Sequence, residues 1–255
     1  MSLLEVRGLT RHYGGVRAVH RLSFDLAAGE VCALIGPNGA GKSTCFALLS
    51  GLERPDAGRV RFAGTDITGL PPQRILRLGL ARTFQIPAVF SSLDALDNVR
   101  AALLARAGLD FALLPRRLRP LADEARALLA RVGLEELADR PAATLAYGDR
   151  KRLELAMALA HRPRLLLLDE PTAGLALGER FALVDELLAI VRAHRLAVLF
   201  TEHDMDVVFR IADRVMVMDH GELIAIGTPA EIRAHPRVRA VYLRGGALDD
   251  AETSP

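Results

Sequence analysis

The nine residues Gly36-Pro37-Asn38-Gly39-Ala40-Gly41-Lys42-Ser43-Thr44 combine three glycines with a lysine and two hydroxyls. Glycines let successive backbone N–H groups curl round an anion without Cβ clashes. A helix starting at that point adds its own partial positive charge. Lys42 can then reach the β- and γ-phosphates of a nucleoside triphosphate, and the Ser43 hydroxyl can ligate Mg²⁺. A second reactive pair, Asp169-Glu170, directly follows Leu165-Leu166-Leu167-Leu168. A carboxylate at the end of a buried strand beside a phosphate loop is the Walker B arrangement. In it Asp169 holds Mg²⁺ through water and Glu170 polarises the attacking water, a role worth roughly 10²–10⁴-fold in rate.

Two plainer readings compete, a chance match in a loop and an ordinary acidic turn. Context sets both aside. Val31-Cys32-Ala33-Leu34-Ile35 reads as a buried strand and Cys45-Phe46-Ala47-Leu48-Leu49 as a helix, so the glycine run has the strand-loop-helix setting its chemistry requires. Four leucines ending in adjacent acids need a cation or a reaction to explain them. The cations add to this. Of 33 Lys plus Arg only Lys42 and Lys151 are lysines, and Lys42 stands where a compact point charge suits phosphate.

The elements that must position these groups follow from the periodicity. Leu3–Arg7 and Leu22–Leu26 alternate as half-buried strands around a turn at Gly14-Gly15, and Arg59–Phe62 forms a further short strand, which together predict an antiparallel sheet. Pro71–Leu76 opens a helix, and a strand over Leu80–Phe84 leads to Gln85. From Leu93 to Ala160 the chain is rich in Ala, Leu and Arg at helical spacing, predicting an all-helical subdomain over about 86–160 inserted into an α/β core. Strand and helix then alternate through Leu165–Leu168, Glu179–His194 and Ala197–Phe200. A hairpin over His220-Gly221 and two short helices end a domain spanning 1–244. The acidic tail 245–255 is expected to be disordered. The fold class is therefore α/β, a P-loop NTPase core with an antiparallel β subdomain and an inserted helical one.

Composition bounds the function classes. A chain of 255 residues, 51% hydrophobic and 25% charged, is an ordinary globular protein with a large core. Its net charge of +2 gives no reason to invoke nucleic acid. No apolar run is long enough to span a bilayer, and Met1-Ser2-Leu3-Leu4-Glu5 lacks a signal-peptide layout. The expectation is a cytoplasmic protein that reaches a membrane only through a partner. Cys32 and Cys45 make no metal motif and read as small, reduced core residues.

Five further segments, in order, resemble the ATP-binding subunits of ABC transporters over nearly the whole chain. Tyr13 matches the aromatic residue that stacks on adenine, and Gln85, in Ala81-Arg82-Thr83-Phe84-Gln85, the glutamine that touches Mg²⁺ and signals to the membrane subunit. Leu145-Ala146-Tyr147-Gly148-Asp149 falls at the family signature, Ala173-Gly174-Leu175-Ala176 at the loop that meets the opposite subunit, and His203 at the switch histidine that bonds the γ-phosphate. The resemblance implies two such subunits sandwiching two ATP molecules, with each signature helix pointing at the γ-phosphate held by the other subunit. Ala146, Asp149 and Ala176 depart from the family pattern. They imply weaker ATP-driven dimerisation with hydrolysis preserved, since Lys42, Asp169, Glu170 and His203 are all present.

Within the family, the segments Ala81–Gln85, Leu145–Ala156, Ile226–Ile232 and Val241–Leu243 look most like the branched-chain amino acid importers. Urea, amide and aromatic-acid importers share these features, which implies branched-chain amino acids or a related small polar solute. That branch implies permease subunits in the membrane, a solute-binding protein acting through them, and a docking groove near Ile86–Phe90. The alternatives are the ATPase of lipopolysaccharide export and a soluble ABC protein of DNA repair or the ribosome. A small kinase is a third, and the signature segment and His203 argue against it. The five arginines between Arg100 and Arg119 read as a solvated face or a basic strip near lipid headgroups.

Overall fold

The computed structural model describes residues 2–108 and 121–243. The acidic tail 245–255 and the part of the arginine-rich stretch beyond Gly108 lie outside these residues. In chain order, β1 (Ser2–Tyr13) and β2 (Val16–Ala27) form a hairpin, and β3 (Val31–Ile35) leads through the glycine loop into α1 (Lys42–Leu49). β4 (Ala57–Phe62), β5 (Thr65–Asp66), α2 (Pro72–Arg77) and β6 (Leu80–Arg82) follow. Then come α3 (Ala95–Arg106), α4 (Ala122–Arg131) and α5 (Tyr147–Ala160), before β7 (Leu165–Asp169). The chain continues through α6 (Leu177–His194), β8 (Ala197–Thr201), α7 (Met205–Ile211), β9 (Arg214–Asp219), β10 (Glu222–Gly227), α8 (Pro229–Ala234) and α9 (Pro236–Leu243).

Two sheets result. β2-β1-β4-β5 is antiparallel, and β10-β9-β3-β8-β7-β6 is parallel apart from the β9–β10 hairpin. The turn of that hairpin, His220-Gly221, has φ of 44° and 82°, which matches the twist of two-residue hairpins. The parallel strands are apolar without alternation because both of their faces are covered. Cys32, Leu34, Leu165 and Leu167 pack toward α1 and the antiparallel sheet. Ala33, Ile35, Leu166 and Leu168 pack toward the helices on the other side. Cys32 and Cys45 are free and buried in the first of these cores, where burial pushes both thiols up to about 12.

The strand expected over Leu80–Phe84 is shorter than its apolar pattern suggests. β6 ends at Arg82, and although the Thr83 amide still reaches Leu167, the Phe84 amide turns away to the Glu154 carboxylate at 3.1 Å. That diversion shapes the site. The loops after β3, β6, β7 and β8 all leave the C-terminal edge of the sheet, where ligands of open α/β folds bind.

Candidate nucleotide site

Two glycines of the loop stand where neighbouring backbone leaves no room for a side chain. A Cβ on Gly36 (φ 156°) would lie 2.2 Å from the Met218 carbonyl oxygen, and one on Gly41 (φ 101°) 2.0 Å from that of Ala18. No side chain fits at either position, so the composition of the loop is a packing requirement as well as a conformational one. Gly41 caps α1, whose first residue is Lys42. Lys42 is buried at 7% exposure and donates to the carbonyls of Gly36 at 2.6 Å and Pro37 at 3.1 Å. Burial lowers its pKa, and the charges of Glu170 and Asp169 oppose that shift. Ser43 is exposed at the start of the same helix, beside Thr44.

Opposite the loop, Asp169 ends β7 with both carboxylate oxygens engaged. Thr201 donates to one at 2.9 Å and Arg82 to the other at 2.9 Å. Arg82 is itself held by Ser50 and lies over the Phe46 and Phe84 rings. Glu170 follows with φ 47°, a left-handed conformation that costs a non-glycine residue of order 1–3 kcal/mol. Contacts on both sides hold it there. Its amide donates to the Thr201 carbonyl and hydroxyl, and its carbonyl accepts from Lys151 at 2.8 Å. The Glu170 side chain reaches His203 Nε2 with one oxygen and accepts from Gln85 Nε2 with the other at 2.8 Å. Glu170, Gln85 and His203, from three different loops, thus form one connected set, which Asp169 joins through Thr201.

Tyr13 is the last residue of β1, 43% exposed, with the Arg11 guanidinium 4.9 Å from its ring centroid. The segment Ala146-Tyr147-Gly148-Asp149 forms the tip of α5, with Ala146 at the N-cap and no side-chain cap. Tyr147 donates its hydroxyl to the Gln85 carbonyl at 2.9 Å and lies against Gly174, where a Cβ would approach the ring to 3.0 Å. Asp149 sits in the first turn of α5, where a negative charge suits the helix dipole.

A family model described as ABC transporter matches residues 19–173. The chain belongs to this family. A second model, described as branched-chain amino acid ATP-binding cassette transporter, matches residues 222–243. The LivG protein of Salmonella typhimurium, named a high-affinity branched-chain amino acid transport ATP-binding protein, is 43% identical over 249 residues, covering 94% of this chain and 97% of the relative. The similarly named BraF of Pseudomonas aeruginosa is 39% identical over 252 residues, with the same coverage. Among solved structures, an ATP-binding cassette of an ABC transporter in its ADP conformation superposes with a TM-score of 0.83 at 28% identity, covering 95% of this chain and 99% of that one. The expected α/β fold and family stand, and this ABC chain is an ATP-binding subunit whose activity is ATP hydrolysis coupled to transport. Among its described residues no helix is long and apolar enough to cross a membrane.

Sequence reasoning missed the residues that tie the ABC site together. Asp149 pairs with Arg152 at 3.2 Å, and Lys151 turns inward to the carbonyls of Gln85 and Glu170. Glu154, 6% exposed, accepts from the Phe84 and Ala88 amides. Burial raises its carboxyl to about 7, against the pull of those amides and of Lys151 and Arg82. Glu202 is buried and accepts from the amide and hydroxyl of Thr172. One signal pointed this way: both lysines of the chain lie in the site.

Proposed function

We propose that this chain powers a membrane importer of branched-chain amino acids from the inner face of the membrane, to which permease subunits hold it. The observation that carries the solute class is the branch-specific match over β10, α8 and α9; the names of LivG and BraF support it. The same match favours this reading over lipopolysaccharide export and over a soluble ABC protein. The permeases in turn receive solute from a solute-binding protein. The chain reads as one domain over 1–244, with its helical subdomain over about 86–160.

At the site, Tyr13 stacks on adenine, and the amides of Gly36 to Thr44 cradle the phosphates. Lys42 releases the carbonyls of Gly36 and Pro37 to meet the β- and γ-phosphates. Ser43, Gln85 and, through water, Asp169 are the residues that would hold Mg²⁺. Their oxygen donors suit that hard cation. Bound there, the ion would supply positive charge that neutralises the phosphates. Glu170 accepts the proton of the attacking water, and His203, adjacent to it, bonds the γ-phosphate. The tip of α5, with Tyr147, Gly148 and Asp149, faces the nucleotide of a second ATP-binding subunit.

Ala146 gives this reading a direct check. Serine at that N-cap should add about 1 kcal/mol of stability by capping α5, raising the melting temperature by about 2–4 °C. It should also tighten ATP-dependent association severalfold, because one hydrogen bond contributes about 0.5–1.5 kcal/mol net. Melting curves without nucleotide and sedimentation with ATP separate the two effects. A stabilised A146S protein with unchanged ATP-dependent association would remove the signature assignment.

Docking rests on the apolar surface beside Gln85. Ile86 is 80% exposed and Phe90 50%, and Phe90 shares a groove with Phe84, Ala88, Ala101 and Met157. Fully buried Asn98 accepts from the Phe90 amide at 2.7 Å and donates to its carbonyl at 3.0 Å, so the backbone there is fixed independently of the side chain. Val89, in the same stretch, is half-buried and packs against the core. Phe90→Asp should therefore leave nucleotide affinity within twofold while abolishing co-purification with the permeases and transport-coupled hydrolysis. Normal complex recovery and uptake with this variant would refute the groove as the docking site.

A further inference from the structure

Tyr147, Lys151 and Glu154 stand at i, i+4 and i+7 on α5 and so form one stripe along the helix. All three hold the segment that carries Gln85. The Tyr147 hydroxyl and Lys151 Nζ donate to the Gln85 carbonyl at 2.9 and 3.2 Å. One oxygen of Glu154 accepts from the amides of Phe84 at 3.1 Å and Ala88 at 3.0 Å, on either side of Gln85. These amides have left the sheet, and Glu154 supplies the acceptor they need. Lys151 and Glu154 are each 6% exposed, far more buried than a solvent-facing helix pair.

Lys151 does a second job. The ammonium that holds Gln85 also bonds the Glu170 carbonyl at 2.8 Å, while Thr201 holds the Glu170 amide from the other side. Glu170 keeps its left-handed φ of 47° between these two contacts. One helix therefore grips both the loop of Gln85 and the peptide of Glu170, and its own tip is the signature segment.

We propose that Lys151 and Glu154 are positioning residues for ATP turnover, which lock the Gln85 loop and the Glu170 peptide to α5 so that the three keep a single geometry. This rests on the roles given above to Gln85 and Glu170. Neither residue needs to touch nucleotide, so their loss should lower turnover and spare affinity. The test measures kcat and KM for ATP, and nucleotide affinity by calorimetry, in the full chain carrying Glu154→Ala, Glu154→Gln or Lys151→Met, with Glu170→Gln alongside. Glu154→Ala and Lys151→Met should each lower kcat about tenfold with affinity within twofold of the parent. Glu154→Gln keeps a carbonyl acceptor for both amides and should recover to within about twofold in kcat. Should Glu154→Ala fail to fold, Lys151→Met, which keeps the alkyl stem, carries the same test. Parental kcat in both Glu154→Ala and Lys151→Met beside an inactive Glu170→Gln would overturn the positioning role alone. So would a Glu154→Gln protein as slow as Glu154→Ala. A fully active Glu170→Gln protein would overturn the underlying catalytic reading as well.

Discussion

Glu170→Gln should reduce ATP turnover by about 10²–10⁴-fold, the range a positioned general base contributes. The side chain is nearly isosteric and the left-handed backbone is no more strained than before. Its single amide oxygen keeps one of the two contacts to His203 and Gln85, and its NH2 meets the other only where that partner turns an acceptor toward it. What disappears is the charge and the capacity to accept a proton. Nucleotide affinity should hold or rise, because a carboxylate close to a triphosphate repels it and binding rests on the glycine loop and Lys42. Steady-state phosphate release together with calorimetry checks both halves. A protein that binds poorly and turns over slowly in proportion would mean that Glu170 serves binding and not chemistry.

The second large effect is expected at Lys42. Its ammonium is buried and satisfied by two carbonyls of its own loop, so the charge is already desolvated and lies within the loop proposed to cradle phosphate. Charge-assisted hydrogen bonds contribute about 1.5–3 kcal/mol each, and losing two costs at least about 3 kcal/mol. That corresponds to a hundredfold or greater loss in ATP affinity. Methionine keeps the unbranched stem, so Lys42→Met should remain folded, with an unchanged or raised melting temperature. Calorimetric titration of the variant with ATP, beside a melting curve, distinguishes lost affinity from lost fold.

The groups proposed to bind and react could be picked out from the sequence because each is local. A glycine loop between strand and helix, and an acidic pair after four leucines, announce themselves within ten residues or so. The strands of the parallel sheet were legible for a related reason, since burial on both faces leaves uninterrupted apolar runs. The framework that orients these groups was not legible. Arg82 meets Asp169 across 87 residues of chain, and Glu154 meets Phe84 and Ala88 across 70 and 66. Neither partner alone carries a pattern, and a charged residue in an Ala- and Leu-rich helix looks like part of its wet face. The left-handed φ of Glu170 is likewise set by Thr201 and Lys151 and not by its neighbours in sequence. Val89 and Phe90 illustrate the same limit, because only packing decides which of two adjacent apolar residues faces out.

The proposed role can be read from leucine accumulation by ATP-loaded vesicles holding this chain with its permeases and solute-binding protein. Concentrative uptake of leucine that consumes ATP and stops when the chain carries Glu170→Gln is the expected result. Uptake at the parental rate with that variant, or vesicles that hydrolyse ATP and concentrate a different solute but no leucine, would contradict it.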